Sequence, residues 1–301
     1  AQIADVGHPD AGDDAYIRAG ALAQALNMSM VKTIMWDKGP DYTFERVKAA
    51  GLSYFELSQV DMTDEYIDQV LEASAKHGVT VMSTSLNYKP LFGPNAKGFD
   101  VEKDMDRIIA ANKRLGVTYV RDSLIPSICI HNEEGYYKAA EDLNRYGKIL
   151  KENGLKLYYH NHHFEFEKYH GKTGFELLVE NTDPELVGFE IDVHWIQRAG
   201  QDPVKWIKRL AGREDMVHLK DYRIYFPDGQ PTPEIFHKEQ CIQFAEIGEG
   251  NLDMKAIIEA SVEGGAIYLP IEQDQTYGKD PFDCIRTSVK NICDMGFEKY
   301  L

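Results

Sequence analysis

The stretch AKHGVTVMSTS (residues 75–85) runs from an amphipathic segment through one glycine directly into a β-rich segment. The same order recurs in KRLGVTYVRDS (113–123) and in KENGLKLYYHN (151–161). A helix that ends on glycine and is followed within two residues by a strand is typical of a repeated β–α unit. The three copies therefore predict an α/β protein that is built from such units.

Eight short β-rich segments alternate with longer amphipathic segments. They span residues 30–36, 52–58, 79–85, 117–123, 155–161, 187–192, 216–221 and 267–273. Eight units in about 270 residues predict a (β/α)8 TIM barrel. An open doubly wound sheet is the alternative, but MWDKGPDYTF (35–44) lacks the glycine-rich phosphate loop expected after its first strand. The polar, glycine-rich residues 1–27 are predicted to form a short N-terminal extension with one helix. Residues 28–301 are then a single barrel domain.

The helices between the strands have recognisable ends. One helix is predicted over 63–78, from Thr63 as N-cap to Gly78, and another over 100–116, from Asp100 to Gly116. Two more are predicted over the ranges 133–154 and 251–265.

The composition excludes several classes of partner. The chain has 301 residues, 43% of them hydrophobic, and a net charge of -16 at pH 7. Such an acidic surface repels the phosphates of nucleic acid, and no apolar run is long enough to span a membrane, so neither is an expected partner. The four cysteines form no C-x-x-C pair, which argues against a disulfide framework and against thiolate metal ligands.

The start of the chain is compatible with more than one cellular compartment. It begins at Ala1 and has no apolar signal core, which fits either a mature exported protein or a trimmed chain. Neither the compartment nor the oligomeric state can be read from the sequence.

Residues that bind divalent metals follow four successive predicted strands, at the end where the chemistry of a barrel is found. They are His160, Asp192, His218 and Glu272, and apolar residues precede each of them. A charge that emerges unpaired from a buried core is costly, and one divalent cation held by all four would remove that cost. Mixed nitrogen and oxygen ligands suit Mn, Co, Fe, Zn or Mg better than Ca. Taken singly, each residue is also explained as a hydrogen-bonded histidine or a helix-capping carboxylate.

Four segments carry a family resemblance: GLKLYYHNHHFEF (154–166), VGFEIDVHW (187–195) with VHLKD (217–221), IGEGNLD (247–253) and YLPIEQDQ (268–275). They resemble the sugar phosphate isomerase/epimerase group of the xylose isomerase-like TIM barrel superfamily. The superfamily also includes ketose 3-epimerases and inosose dehydratases. The resemblance implies a small-molecule sugar substrate and one divalent metal.

The metal ligands of the superfamily's epimerases are a Glu, an Asp, a His and a second Glu, at the ends of strands five to eight. By position, the last three correspond to Asp192, His218 and Glu272. His160 stands where the first Glu is usual, so the pair of metal-bound glutamates that exchanges protons on two faces of a carbon is lost. Inosose dehydratases also have histidine-rich ends of strand five, which makes a lyase reaction the alternative.

The mechanism implied by the resemblance is proton abstraction next to a carbonyl. Glu165 is expected over the barrel mouth as a second acid or base, and the full set of catalytic candidates is Glu272, Glu165, His162 and Lys220. His194, two residues after Asp192, is expected on the same strand face and within reach of the substrate. The substrate-binding candidates are Glu56, His194, Trp36 and Trp195.

Three functions are compatible with the sequence. The first is a metal-dependent sugar isomerase or epimerase. The second is a lyase or hydratase acting on a keto sugar, keto-glycoside or keto-inositol, and the third is a non-catalytic sugar-binding barrel. The amides of GEGN (248–251) open a helix and could hold an anion, but Glu249 opposes this, so we expect an unphosphorylated substrate.

Overall fold

The computed structural model describes residues 22–86, 97–123, 132–226 and 241–301. Within these ranges, eight parallel strands pair in sequence order and close into a barrel, with β8 pairing back to β1. The strands are β1 (Ala23–Asn27), β2 (Tyr54–Leu57), β3 (Thr80–Ser85), β4 (Tyr119–Asp122), β5 (Lys156–His160), β6 (Val187–Asp192), β7 (Met216–His218) and β8 (Tyr268–Ile271). The predicted (β/α)8 barrel is confirmed.

Helices lie between consecutive strands and cover the outside of the barrel. They are α1 (Lys32–Ala49, with a break at Gly39), α2 (Asp64–His77), α3 (Met105–Leu115), α4 (Glu133–Glu152), α5 (Gly174–Asn181), α6 (Val193–Arg198), α7 (Pro203–Arg209), α8 (Met254–Gly264) and α9 (Pro281–Asp294). An antiparallel hairpin of Asp221–Ile224 and Ile242–Ala245 follows β7. None of the helices in these ranges is both long and apolar enough to cross a membrane.

The first strand was predicted at 30–36, and this is wrong. Residues 30–36 form the end of a 3-10 turn and the start of α1, because the buried Val31 and Met35 are four residues apart and share one helical face. The strand is Ala23–Asn27, whose Ala and Leu residues have no β preference but are all buried between β2 and β8. These five residues, predicted to belong to the extension, are therefore part of the barrel. The rest of that extension, 1–21, lies outside the described residues.

The predicted helix ends agree with the structure in most places. Thr63 accepts a hydrogen bond from the backbone of Tyr66, and Gly78 ends α2 with a φ of 65° that favours glycine. The helix predicted from Asp100 begins only at Met105, because the Asp100 carboxylate accepts the backbone N–H of Glu102 in a preceding turn.

The barrel interior has two layers of different chemistry. Near the N-terminal ends of the strands, Tyr119, Tyr158 and Met216 belong to a small apolar cluster. Residues two apart on a strand point to the same side, so the next inward-facing position carries a polar group above each of these three. Those groups are Arg121, His160 and His218, all buried. The register of the strands thus places ionisable side chains directly on an apolar floor.

One buried carboxyl lies away from this polar layer. Glu214, which precedes β7, is fully buried; its Oε2 accepts the Arg213 N–H at 3.2 Å, and Oε1 has no hydrogen-bond partner in the described part of the chain. Burial raises the pKa of Glu214 from 4.5 to about 8. The folded protein therefore holds a proton that the unfolded chain releases above pH 4.5, and stability falls as the pH rises between these values.

We predict that Glu214→Gln removes the loss of folding stability at high pH, because glutamine stays uncharged. Between pH 6 and pH 9 the variant should gain about 5 °C in Tm relative to the wild type. Thermal unfolding followed by circular dichroism measures the gain, with the exposed Glu152→Gln as control. A Tm difference that stays constant across this range would contradict the raised pKa.

Candidate metal centre and substrate cavity

The four residues predicted as metal ligands come together at the C-terminal mouth of the barrel. His160, Asp192, His218 and Glu272 are all buried, and each offers one ligand atom within 4.8 Å of the others. His160 Nε2 lies 3.2 Å from His218 Nδ1 and 3.5 Å from Asp192 Oδ2. Glu272 Oε2 lies 2.7 Å from His218 Nδ1 and 4.0 Å from His160 Nε2.

This arrangement fits one divalent cation. A first-row metal about 2.1 Å from each ligand places the ligand atoms about 3 to 3.5 Å apart, close to the distances found here. Burial lowers the pKa of His160 well below its ordinary value, and the nearby His218 adds to this. A neutral imidazole keeps a lone pair for a metal, so the protonation state of His160 matches the proposed role.

Asp192 is both a ligand candidate and a helix cap. Its Oδ1 accepts the backbone N–H of Trp195 at 3.1 Å and so caps α6, whereas Oδ2 points towards His160. The sequence left these two interpretations as alternatives. The structure shows that the two carboxylate oxygens can serve both.

A second group of charges lies against the other nitrogen of His218. Nε2 is 2.8 Å from Glu56 Oε2 and 3.1 Å from Glu190 Oε1, and Arg121 Nε is 2.8 Å from Glu56 Oε1. A carboxylate that accepts the Nε2 proton leaves Nδ1 free as the ligand atom and fixes the ring orientation. Burial opposes ionisation, but Glu190, Glu56 and Glu272 together raise the pKa of His218 well above its ordinary value, so this imidazole must release its Nδ1 proton when it binds a metal.

The ammonium of Lys220 lies beside the four ligand candidates. It is 2.9 Å from Asp274, 3.3 Å from Glu272 and 3.4 Å from Asp192. Burial opposes the charge, but these carboxylates raise the pKa of Lys220 above its ordinary value. Lys220 therefore brings a hydrogen-bond donor, held by three carboxylates, to the floor of the mouth.

A cavity of about 570 Å³ opens above this floor. Of the predicted site residues, its wall includes Trp36, Trp195, His162, Lys220, His160 and Glu272. His162 stacks on Phe164, and burial lowers the pKa of its imidazole well below the ordinary value. The structure thus brings a neutral imidazole, an ammonium and a carboxylate to one cavity.

Three predicted catalytic or substrate-binding residues, Glu56, His194 and Glu165, do not line this cavity, and neither do the ligand candidates Asp192 and His218. Glu56 is fully buried beneath His218, where Arg121 and His218 outweigh burial and lower its pKa to about 2, so it was misplaced as a substrate contact. His194 is not on the strand face, because the strand ends at Asp192 and a helix begins at Val193. Its ring packs against three aromatic side chains, those of Trp195, Tyr222 and Phe244.

Glu165 also differs from its predicted position over the mouth. It is fully buried, accepts the Tyr159 hydroxyl at 2.7 Å and accepts the backbone N–H of His162 at 3.0 Å. Burial raises the pKa of Glu165 to about 7. From this position Glu165 holds the turn that presents His162 to the cavity.

The sequence interpretation missed several residues of the site. Glu190 could have been found, because it lies two residues before Asp192 and so faces the same interior. Arg121 in β4 faces the interior in the same way, two residues after Tyr119. Asn27, which donates to Glu56 at 2.8 Å, and Ser29, which donates to Glu272 at 2.8 Å, were missed because the first strand was misplaced.

The backbone amides of residues 248–252, after strand seven, bind a carboxylate of the protein itself. The Asp221 carboxylate accepts the backbone N–H groups of Gly248, Gly250 and Leu252 at 3.1, 3.1 and 3.2 Å. A Cβ at Gly250 would lie 2.1 Å from Asp221 Oδ1, so only glycine fits there. The amides that could have held a substrate phosphate are therefore already occupied.

An eight-stranded parallel barrel with two histidines and two carboxylates at successive strand ends defines a TIM barrel with a candidate metal centre. The family model for the xylose isomerase-like TIM barrel matches residues 44–265. The chain belongs to this family, as the sequence resemblance implied.

The individual proteins that resemble this chain have low sequence identity to it. An inosose dehydratase of Clostridium tetani is 29% identical over 156 residues, 48% of this chain and 50% of that protein. The chain spans about half the length, or less, of the curated relatives it matches. A sugar phosphate isomerase/epimerase from Parabacteroides distasonis has a TM-score of 0.70 at 20% identity, covering 92% of this chain and 99% of that one. The IOLI protein with a binding zinc atom has a TM-score of 0.63 at 18% identity, covering 93% and 99%.

We predict that Glu190→Gln weakens divalent metal binding on the order of 10-fold to 100-fold, because one of the two carboxyl groups that face His218 Nε2 is lost. Titration of Mn or Zn against a chromogenic chelator measures the affinity, and Asp192→Ala should abolish it. Glu214→Gln, a buried carboxyl outside the polar layer, is the matched control. Wild-type affinity in Glu190→Gln would show that Glu190 does not orient the ligand.

Proposed function

We propose that the protein is a metal-dependent carbon–oxygen lyase that acts on an unphosphorylated keto sugar or keto polyol. The reaction begins with removal of a proton next to the carbonyl and ends with loss of an oxygen substituent. The observation that carries this proposal is the position of Lys220. Its ammonium lies 3.3 Å from Glu272 in the same cavity, where it can donate a hydrogen bond to a departing oxygen and stabilise the negative charge that develops there.

The ligand set supports a metal in this role. A divalent cation held by His160, Asp192, His218 and Glu272 would polarise the substrate carbonyl and acidify the neighbouring C–H bond. The zinc in the IOLI protein is consistent with such a cation.

Side chains in the cavity wall would remove the proton from carbon and assist the departure of the oxygen. His162 is neutral and lines the cavity, so its imidazole can accept the proton from carbon. Glu272 is the other candidate base, but its oxygens already face Ser29, His218 and Lys220. Lys220 donates to the leaving oxygen or stabilises its negative charge.

Two observations narrow the substrate class. The curated relatives are inosose dehydratases, which makes a keto-inositol the first compound to test. The anion position after strand seven is filled by Asp221, which favours a substrate without a phosphate group.

A sugar isomerase or epimerase is the second candidate. His162 and Glu272, which follow β5 and β8, both line the cavity, and two acid/base groups are what a two-base epimerisation needs. His160 in place of the usual metal-bound glutamate argues against that reaction, because the second carboxylate base is missing.

We predict that the protein, loaded with Mn or Co, converts an inosose or a keto sugar in D2O to an unsaturated product. EDTA should abolish the reaction, and added metal should restore it. Proton NMR distinguishes the candidates, since deuterium at carbon without loss of water identifies an isomerase. Binding without exchange identifies a sugar-binding barrel, and absence of any metal effect on stability or rate contradicts the metal centre itself.

We also predict that Lys220→Met lowers kcat by roughly 100-fold or more, because the leaving oxygen loses its donor. Lys290→Met, at an exposed lysine of α9, is the control. Metal affinity should be measured in parallel, so that a lost rate with retained metal isolates the donor role. A variant with wild-type kcat would exclude Lys220 from the chemistry.

A further inference from the structure

The cavity extends well beyond the proposed reaction centre. His160, Lys220 and Glu272 lie at its floor, whereas Trp36 and Gln59 line it from a different part of the barrel, on α1 and after β2. Its volume of about 570 Å³ is that of a site for a drug-sized ligand, and a single hexose has only about half the atoms of such a ligand. One sugar ring at the floor therefore leaves a comparable space unfilled.

The far part of this space has an aromatic wall. Trp36 is 40% exposed although it is among the largest apolar side chains of α1. Its Nε1 donates to the Gln59 carbonyl at 3.0 Å, which fixes the plane of the indole ring. A fixed and exposed indole offers a flat apolar surface to a ring-shaped ligand.

The residue that holds the indole is itself in an unfavourable conformation. Gln59 has a φ of 53°, in the left-handed region, which costs about 1 kcal/mol for a residue other than glycine. Such conformations are concentrated at ligand sites, where the surrounding structure maintains them. Lys97, with its Nζ 5.5 Å from the Trp36 ring centroid, also lines the cavity and brings a donor for hydroxyl groups.

We infer that the cavity binds a two-ring substrate, with the keto sugar at the floor and a second ring against Trp36. This inference rests on the proposed function and names its substrate class as a keto-glycoside. The second ring has an apolar face and is either another sugar or an aromatic group, because the indole can stack on both.

The kinetic test compares a keto-monosaccharide with two keto-glycosides, one that carries a sugar and one that carries a phenyl group. Trp36→Ala should lose about tenfold more kcat/KM on a glycoside than on the monosaccharide. Tyr42→Ala, an exposed aromatic of the same helix outside the cavity, should lose nothing on either. Equal losses on both substrates in Trp36→Ala would overturn the second-ring position.

A binding test separates this inference from the proposed reaction. Ligand-observed NMR with unreactive glucose, cellobiose and phenyl glucoside needs no turnover. Cellobiose or phenyl glucoside should bind the wild type more tightly than glucose, and that preference should disappear in Trp36→Ala. If the preference holds and no compound reacts, the reaction class is wrong but the two-ring site stands. If glucose binds as well as both glycosides, the two-ring site is wrong whatever the reaction.

Discussion

His218 is a buried imidazole with carboxylates against both of its nitrogens, and the rest of the site depends on that arrangement. Glu272 faces Nδ1, while Glu56 and Glu190 face Nε2. An uncompensated carboxylate in a barrel interior costs several kcal/mol, so neither side is stable without positive charge. Arg121 supplies it on one side and Lys220 on the other. The carboxylates and the cations stabilise one another only as a set, which makes each member depend on the others.

The barrel places this set through strand register rather than through loops. Three inward-facing polar residues, Arg121, His160 and His218, stand two positions after an apolar residue on the same strand. Asp192 is fixed by a helix as well as by its strand, since one carboxylate oxygen caps α6 and the other faces His160. The geometry of the ligand candidates is therefore as rigid as the fold, because the same contacts define both.

Much of the fold and part of the site follow from sequence pattern. Strands two to eight were predictable from their β-rich segments, and the four ligand candidates from their place at strand ends. The first strand was not, because its Ala-rich sequence lacks a β signal and only pairing on both sides makes it a strand. The sequence also could not show which of the polar residues face the cavity. Glu56 and His194 carry the right chemistry, yet a neighbouring imidazole and a helix start turn them away from the substrate space.

Asp221 has a consequence for how the protein behaves in a cell. Its carboxylate is tethered to the amides of Gly248 and Gly250, so it competes with free anions as an intramolecular ligand at a high effective concentration. Inorganic phosphate and phosphorylated metabolites must displace a group that cannot diffuse away. Free phosphate can therefore bind these amides only by displacing the side chain of Asp221.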